Sequence, residues 1–403
     1  MPRAMSERRT SLIGALLVAI GPISMALYTP AMPTLVHVFE TDESLVKLTL
    51  SLYFAGFAVT QLLCGPLSDG FGRRRITIIF LILYLVGSVM AIMAPSIEWL
   101  LVARLVQGAG ASVGIATSRA IVRDQYSGET SARIMNAIGI MLAIGPAFAP
   151  FIGGFTLALA GWHASFVVML FFGLAVIGVV FGAMRETTVA DPELVRPRQL
   201  MRSYRRLFSS RQFLTTVITV AGSVGAIYTL ATVLPFVLID GAGLTPTQYG
   251  IGMLAQSGLF FLGSLVMRGL MRRYTAYGLV PLGLFCVGLG GAMLLLSIWL
   301  LPVSYLSIMV PIGVYAFGVA FVMPAMTTAS LAPFPGIAGA AAAAMGFVQM
   351  GAGLVGGLIC AAIGEPVLAT QIVIPAMAAM AIAAYLVYRA DERSLPPAQA
   401  TGE

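Results

Sequence analysis

Charge is scarce in this chain. Of its 403 residues only 10% are charged and 59% are hydrophobic, against roughly 25% and 45–50% in soluble domains. A mean hydropathy of +0.95 over the whole length excludes a soluble enzyme held by one anchor, because a water-soluble domain would dilute the average. Lysine occurs once, at Lys47, and Leu48 follows it, so the phosphate-cradling pattern G-x-x-x-x-G-K-[ST] cannot occur and a P-loop ATPase is excluded. The three cysteines, Cys64, Cys286 and Cys360, lie far apart in apolar runs. His37 and His163 have no partners at zinc spacing. Neither disulfides, nor a metal, nor any other cofactor is expected. Carboxylates are missing from the middle of every long apolar run: Asp69, Glu98, Asp124, Asp240 and Glu365 all fall near ends.

What the sequence does hold is apolar runs long enough to cross about 30 Å of hydrocarbon at 1.5 Å per residue. Twelve are expected, near residues 12–36, 45–67, 76–95, 98–122, 134–158, 163–184, 213–239, 249–270, 278–300, 304–329, 337–361 and 367–388. The first is too long for a signal-peptide core and reads as a retained span. The longest polar stretch, Arg185 to Arg211, has 27 residues, short for a folded domain. The chain therefore divides into six-helix halves at 1–184 and 213–390, a linker at 185–212 and a tail at 391–403. Arg3, Arg8, Arg9, Arg73, Arg74, Arg75, Arg123, Arg133, the seven arginines of the linker stretch, Arg268, Arg272, Arg273, Arg389 and Arg393 all fall on one side of a twelve-span path. Positively charged loops stay cytoplasmic, so both termini are expected there. The net charge of +7 is read as this topology signal and not as a nucleic-acid surface. The expected partners are a small-molecule substrate, protons and the lipid bilayer, with no obligate protein partner evident.

Several local patterns carry a mechanism. Gly65-Pro-Leu-Ser-Asp69-Gly-Phe-Gly72-Arg73-Arg74-Arg75 is a tight turn with one carboxylate followed by three positive charges. A carboxylate there can face the positive N-terminal end of a helix from the other half, near Gly336, a latch worth roughly 0.3–2 kcal/mol. After the eighth span, Gly263, Met267, Arg272 and Arg273 repeat the spacing of Gly65, Asp69, Arg74 and Arg75. That echo sits where a duplicated six-helix unit would place it. In the fourth span, Arg104 and Gln107 share a helix face about 9 Å from the helix end, and a guanidinium at that depth normally faces the bundle interior. Gly145, Pro146, Ala149, Pro150, Gly153 and Gly154 in the fifth span allow close helix approach and kinking. Tyr28, Tyr53, Gln61, Gln107, Tyr228, Gln256, Tyr315 and Gln349 are the polar or amphipathic candidates for a central cavity. Such a pocket suits loose recognition of varied compounds. Glu43 and Lys47, four apart, read as a helix-surface pair.

The turn at Gly65–Arg75 resembles the loop 2–3 signature of the major facilitator superfamily. Arg104-Leu-Val-Gln107-Gly108 is similar to its fourth-helix pattern, whose arginine is associated with proton transfer. Gly145-x-x-x-Ala149-Pro150-Phe151-Ile152-Gly153-Gly154 resembles its antiporter signature, with Ala149 in place of a glycine. Tyr28-Thr-Pro30-Ala-Met-Pro33, Leu50-Ser-Leu-Tyr53, Ser118-Arg119-Ala-Ile-Val-Arg123-Asp124, Gly161-Trp162-His-Ala-Ser-Phe166 and Phe334-Pro-Gly-Ile-Ala338 look like the Bcr/CflA branch of drug:proton antiporters. This resemblance implies an all-α membrane fold of twelve helices in two pseudo-symmetric halves. It also implies residence in the bacterial inner membrane and export of bicyclomycin, phenicols and unrelated lipophilic compounds, driven by the proton gradient. Gly65, Asp69, Gly72, Arg73 and Arg74 would form the latch, and Arg104 or Asp69 the coupling group. One position departs: the family usually has an acidic residue two positions before the tyrosine of the first helix, and Ala26 stands there.

That departure keeps other readings open. Either a peripheral acid such as Asp69 substitutes, or coupling is weak, or the protein is an uptake or facilitative carrier for a neutral or anionic compound. A receptor without transport is disfavoured by the absence of a sizeable soluble domain. Gly110-Ala-Ser112-Val-Gly114 matches the nucleophile pattern G-x-S-x-G, but Ser112 lies about 21 Å into its helix, far from either histidine. A hydrolase is therefore not expected.

Overall fold

A computed structural model describes residues 5–191 and 196–394. Arg3 and the tail beyond residue 394 lie outside the described residues. Twelve helices are long and apolar enough to span a bilayer: α1 (Glu7–Val38), α2 (Glu43–Phe71), α3 (Arg73–Ile92), α4 (Ile97–Gln125), α5 (Gly128–Ala160), α6 (Trp162–Ala183), α7 (Arg211–Gly241), α8 (Pro246–Leu270), α9 (Tyr277–Ser297), α10 (Tyr305–Leu331), α11 (Pro335–Ile363) and α12 (Pro366–Asp391). No strand occurs among the described residues. The apolar runs locate every span. Several helices overrun them, α5 most of all, because its first turns (Gly128-Glu129-Thr130-Ser131) are polar but still helical.

Local chemistry sets the breaks. The first span is regular over Glu7–Ala26, tightens to a 3-10 turn at Thr29–Ala31 and resumes over Met32–Val38, since Pro30 and Pro33 cannot donate backbone hydrogen bonds. The fourth span divides at Ser112. Gly161 (φ +74°) ends α5, and Gly364 (φ +81°) ends α11. These two left-handed corners occupy the same place in each half.

The same helix pairs pack in both halves: α1 on α5 and α7 on α11, α2 on α4 and α8 on α10, α3 on α4 and α9 on α10, α3 on α6 and α9 on α12. Between the halves the main contacts are α2 with α11 and α5 with α8, which the same pseudo-symmetry interchanges. The linker is more structured than its polarity implies. Pro197–Phe208 is a helix whose Tyr204 and Leu207 join a cluster with Phe213, Phe334 and Met345. The Tyr204 hydroxyl donates to the Leu62 carbonyl of α2 at 2.6 Å. Burial pushes that hydroxyl up to about 12.

Candidate functional site

Arg104 is fully buried. Its Nη1 donates to Gln107 Oε1 at 2.5 Å, and both Nη atoms reach the Ser24 carbonyl at 3.4 Å. The guanidinium lies 4.6 Å from the ring centre of Tyr28, 4.4 Å from that of Tyr53 and 5.9 Å from that of Phe166. Surrounding groups are fixed in turn: Gln107 Nε2 donates to Ser88 Oγ at 2.8 Å, the Tyr28 hydroxyl pairs with Thr49 Oγ1 at 2.7 Å, and the Tyr53 hydroxyl donates to the Gly21 carbonyl at 2.9 Å. The charge is thus held by a carbonyl, an amide and aromatic faces, each face worth about 0.5–2 kcal/mol. Arg104 Nε has no hydrogen-bond partner. Ser24, Ser88 and Thr49 escaped the sequence reading, and Phe166 entered it only as part of a resembling motif, because nothing in their own neighbourhoods marks them as partners of a residue on another helix.

At the arginine-rich end, Arg73 is nearly buried. It pairs with Asp69, with Asp124 at 2.9 Å and with Ser68 Oγ at 2.7 Å. Glu186, a linker residue that sequence reading passed over, accepts from the backbone N–H groups of Arg73 and Arg74 at 2.7 and 3.1 Å. It fills the space where a side chain at Gly72 (φ +100°) would sit. The latch expected between Asp69 and α11 near Gly336 is therefore not made in this state: Arg73, four residues on, takes the carboxylate within its own half. Gly65 stands open, with no neighbouring atom where a Cβ would be. In the second half Met267 replaces the acid, and a cavity of about 330 Å³ opens beside it, bordered by Arg268, Met271, Tyr277 and Pro324.

At the opposite end the halves are sealed. An added methyl group at Gly154 would collide with the Pro246 carbonyl and one at Gly250 with that of Pro150, both across the seam, and within the first half one at Gly153 would collide with the Leu27 carbonyl. Gly145 packs on Ile23. The Tyr249 hydroxyl bonds Thr29 Oγ1 at 3.3 Å, and Ser44 Oγ donates to the Ala361 carbonyl at 2.9 Å. Lys47 is not on a helix surface as its spacing from Glu43 implied. It is fully buried, 2.8 Å from Glu43, 3.3 Å from the Gly364 carbonyl at the end of α11, and 4.8 Å above the Phe236 ring. A cation at the negative end of α11 is favourable, and single-helix spacing could not show that another half covers it.

The remaining candidates scatter. Gln61 is buried against Gly346 of α11, and Gln256 and Gln349 are buried; the Oε1 atoms of Gln61 and Gln256 lack hydrogen bonds. Tyr315 lies inside the second half, donating to the Gly222 carbonyl at 3.0 Å. Tyr228 alone of the eight is half-buried, its ring 5.7 Å from that of Phe54 across the seam. Ser112 bonds Thr60 and Cys64.

A twelve-helix bundle in two interchangeable halves, sealed at one end, agrees with the family comparison: the sequence model of the Major Facilitator Superfamily matches residues 14–359. The chain belongs to the Major Facilitator Superfamily. It is 30% identical to an uncharacterized MFS-type transporter of Bacillus subtilis over 62% of this chain, spanning 64% of that relative's length. It is 25% identical to Multidrug resistance protein D of Escherichia coli over 85% of this chain and 86% of that protein. Among solved structures, a bacterial homolog of the human lysosomal transporter Spinster matches with a TM-score of 0.72 at 15% identity, over 96% of each chain. Both family and fold are those of transporters, and the protein is a multi-pass membrane protein.

Proposed function

We propose that this facilitator-superfamily member is an exporter of small lipophilic compounds, of the Bcr/CflA type, working by alternating access in a bacterial inner membrane. The arginine-rich end with both termini faces the cytoplasm, and residues 1–184 and 213–390 are the two moving halves. The observation that carries the reading is the seal at the far end, where Gly154 and Gly250 let the backbones of α5 and α8, one from each half, touch. A bundle that closes this tightly at one end can admit a compound from the other without leaking protons. The resemblance to multidrug-resistance relatives supports the substrate class. The proton gradient is the proposed driving force, with Arg104 or Asp69 as the coupling group in place of the acid missing at Ala26. One proton entering per neutral molecule expelled would supply roughly 2.3 kcal/mol per 100 mV.

Everted vesicles holding an inside-acid gradient test this. Addition of chloramphenicol or bicyclomycin is expected to alkalinise the lumen, and Asp69→Asn and Arg104→Ala then locate the coupling group. A compound shown independently to be transported that leaves the gradient untouched would remove antiport and favour a facilitative carrier.

A further inference from the structure

Pro66 lies inside α2. Having no N–H, it cannot donate to the carbonyl four residues earlier, so the Leu62 carbonyl lacks its regular donor within the helix. The Tyr204 hydroxyl of the linker helix Pro197–Phe208 supplies one from outside, at 2.6 Å. The rest of that helix belongs to the second half, where it packs on α7 and α11. Leu207 is fully buried in a cluster with Phe213 and Val217 of α7, Phe334 just before α11, and Met345. The Phe208 ring lies 6.1 Å from that of Phe213, which lies 5.8 Å from that of Phe334, and the Arg206 guanidinium is 6.0 Å from the Phe334 ring centre. Of the residues in this cluster, Leu62 alone comes from the first half. The linker helix thus has a broad apolar footing on one half and a hydrogen bond to the other. Gln61, beside Leu62, lies against Gly346 of α11, so this hydrogen bond is made where the two halves touch.

We infer that the linker helix is a clasp at the arginine-rich end: it stays with the second half, and α2 parts from α11 there only when Tyr204 lets go of the Leu62 carbonyl. Pro66 gives the clasp its address. Any other residue at that position would return an N–H to the Leu62 carbonyl and leave Tyr204 competing with the helix itself. The strength suits a joint that opens and closes. With the halves together, a missing Tyr204 hydroxyl would leave the carbonyl without its partner; with the halves apart, water takes that place, so removing the hydroxyl weakens only the closed state. A single hydrogen bond of this kind biases the two states by about five-fold or more, and a second ligand for the carbonyl is always at hand on release. The inference rests on the alternating-access reading, in which the halves part, and adds the element that holds them.

Distances between spin labels in the purified full chain test the clasp. Labels go in pairs on Arg75→Cys of the first half, Arg272→Cys of the second and Arg202→Cys of the linker helix, all exposed positions, with Cys64, Cys286 and Cys360 replaced by serine or alanine. Tyr204→Phe is expected to raise the ratio of longer to shorter Arg75–Arg272 distances by about five-fold or more. The Arg75–Arg202 distance should lengthen with it, while Arg202–Arg272 stays as it was. Pro66→Ala, which restores the helical donor, should shift the ratio in the same direction, and Tyr204→Phe added to Pro66→Ala should then change little, because both act on one hydrogen bond. Elution profile and thermal unfolding establish that each variant is folded; should Tyr204→Phe not fold, the Pro66→Ala protein decides. An unchanged Arg75–Arg272 distribution in a folded Tyr204→Phe or Pro66→Ala protein, or a linker helix that follows the first half, overturns the inference. Halves that part in this way in a protein that moves no drug would keep the clasp and remove the exporter. Drug export with the distribution unchanged in Tyr204→Phe would do the reverse.

Discussion

Arg104 shows how one charged residue is kept inside a membrane protein that supplies it no carboxylate. The rings of Tyr28 and Tyr53 both lie against the guanidinium, and the Ser24 carbonyl and Gln107 amide accept its hydrogens. A lysine at this position would offer a compact point charge in place of a planar fork. Arg104→Lys is therefore expected to strand either Gln107 Oε1 or the Ser24 carbonyl, at about 1–3 kcal/mol. A fall of several degrees in Tm for the purified variant would show this; an unchanged Tm would mean that the cage does not depend on the fork. That Arg104 faces the interior was legible from its depth in an apolar run, and Gln107 from its place on the same face. The ring from α6 was not, because Phe166 lies 62 residues away in sequence and belongs to a run that is apolar throughout.

Among the helices, the determining feature is how closely α5 and α8 approach. Pro150 and Gly250, and Gly154 and Pro246, bring backbone to backbone. The close-packing pattern of Gly145–Gly154 was visible in the sequence, but its partner was not: Gly250 follows no motif, and only the folded arrangement sets it opposite Pro150. Gly154→Val should wedge this seam apart. Transport is expected to fall about ten-fold or more, since a side chain forced into a close backbone contact has no rotamer that relieves it. The readout is drug uptake in everted vesicles, normalised to the amount of protein in the membrane. Wild-type transport by Gly154→Val would show that the seam need not close. Lys47 illustrates the complementary limit: a four-residue spacing gave the pair with Glu43 correctly, yet its burial comes from α7 and α11 and could not be read from α2.

For the whole molecule, the duplicated architecture was legible from twelve apolar runs and one echoed turn, and the halves pack through matching helix pairs. The halves have also diverged. Where the first holds Asp69, Arg73 and Asp124 together, the second has Met267 beside an open cavity, so the acid of the first half's turn has no counterpart at the equivalent position of the second. The proposed alternating-access cycle would have to break the contacts at the other end, where α2 meets α11 through Ser44 and the Ala361 carbonyl at 2.9 Å and Lys47 meets Gly364. If the cycle requires this parting, a covalent link there must stop it. Ser44→Cys combined with Ala361→Cys, in a chain with Cys64, Cys286 and Cys360 replaced by serine or alanine, is expected to crosslink under mild oxidation, abolish transport and recover it on reduction. Each single cysteine should be indifferent to oxidant. A fully crosslinked double variant that still moved drug at the uncrosslinked rate would mean that α2 and α11 stay together through the cycle, and that the halves do not part at this end.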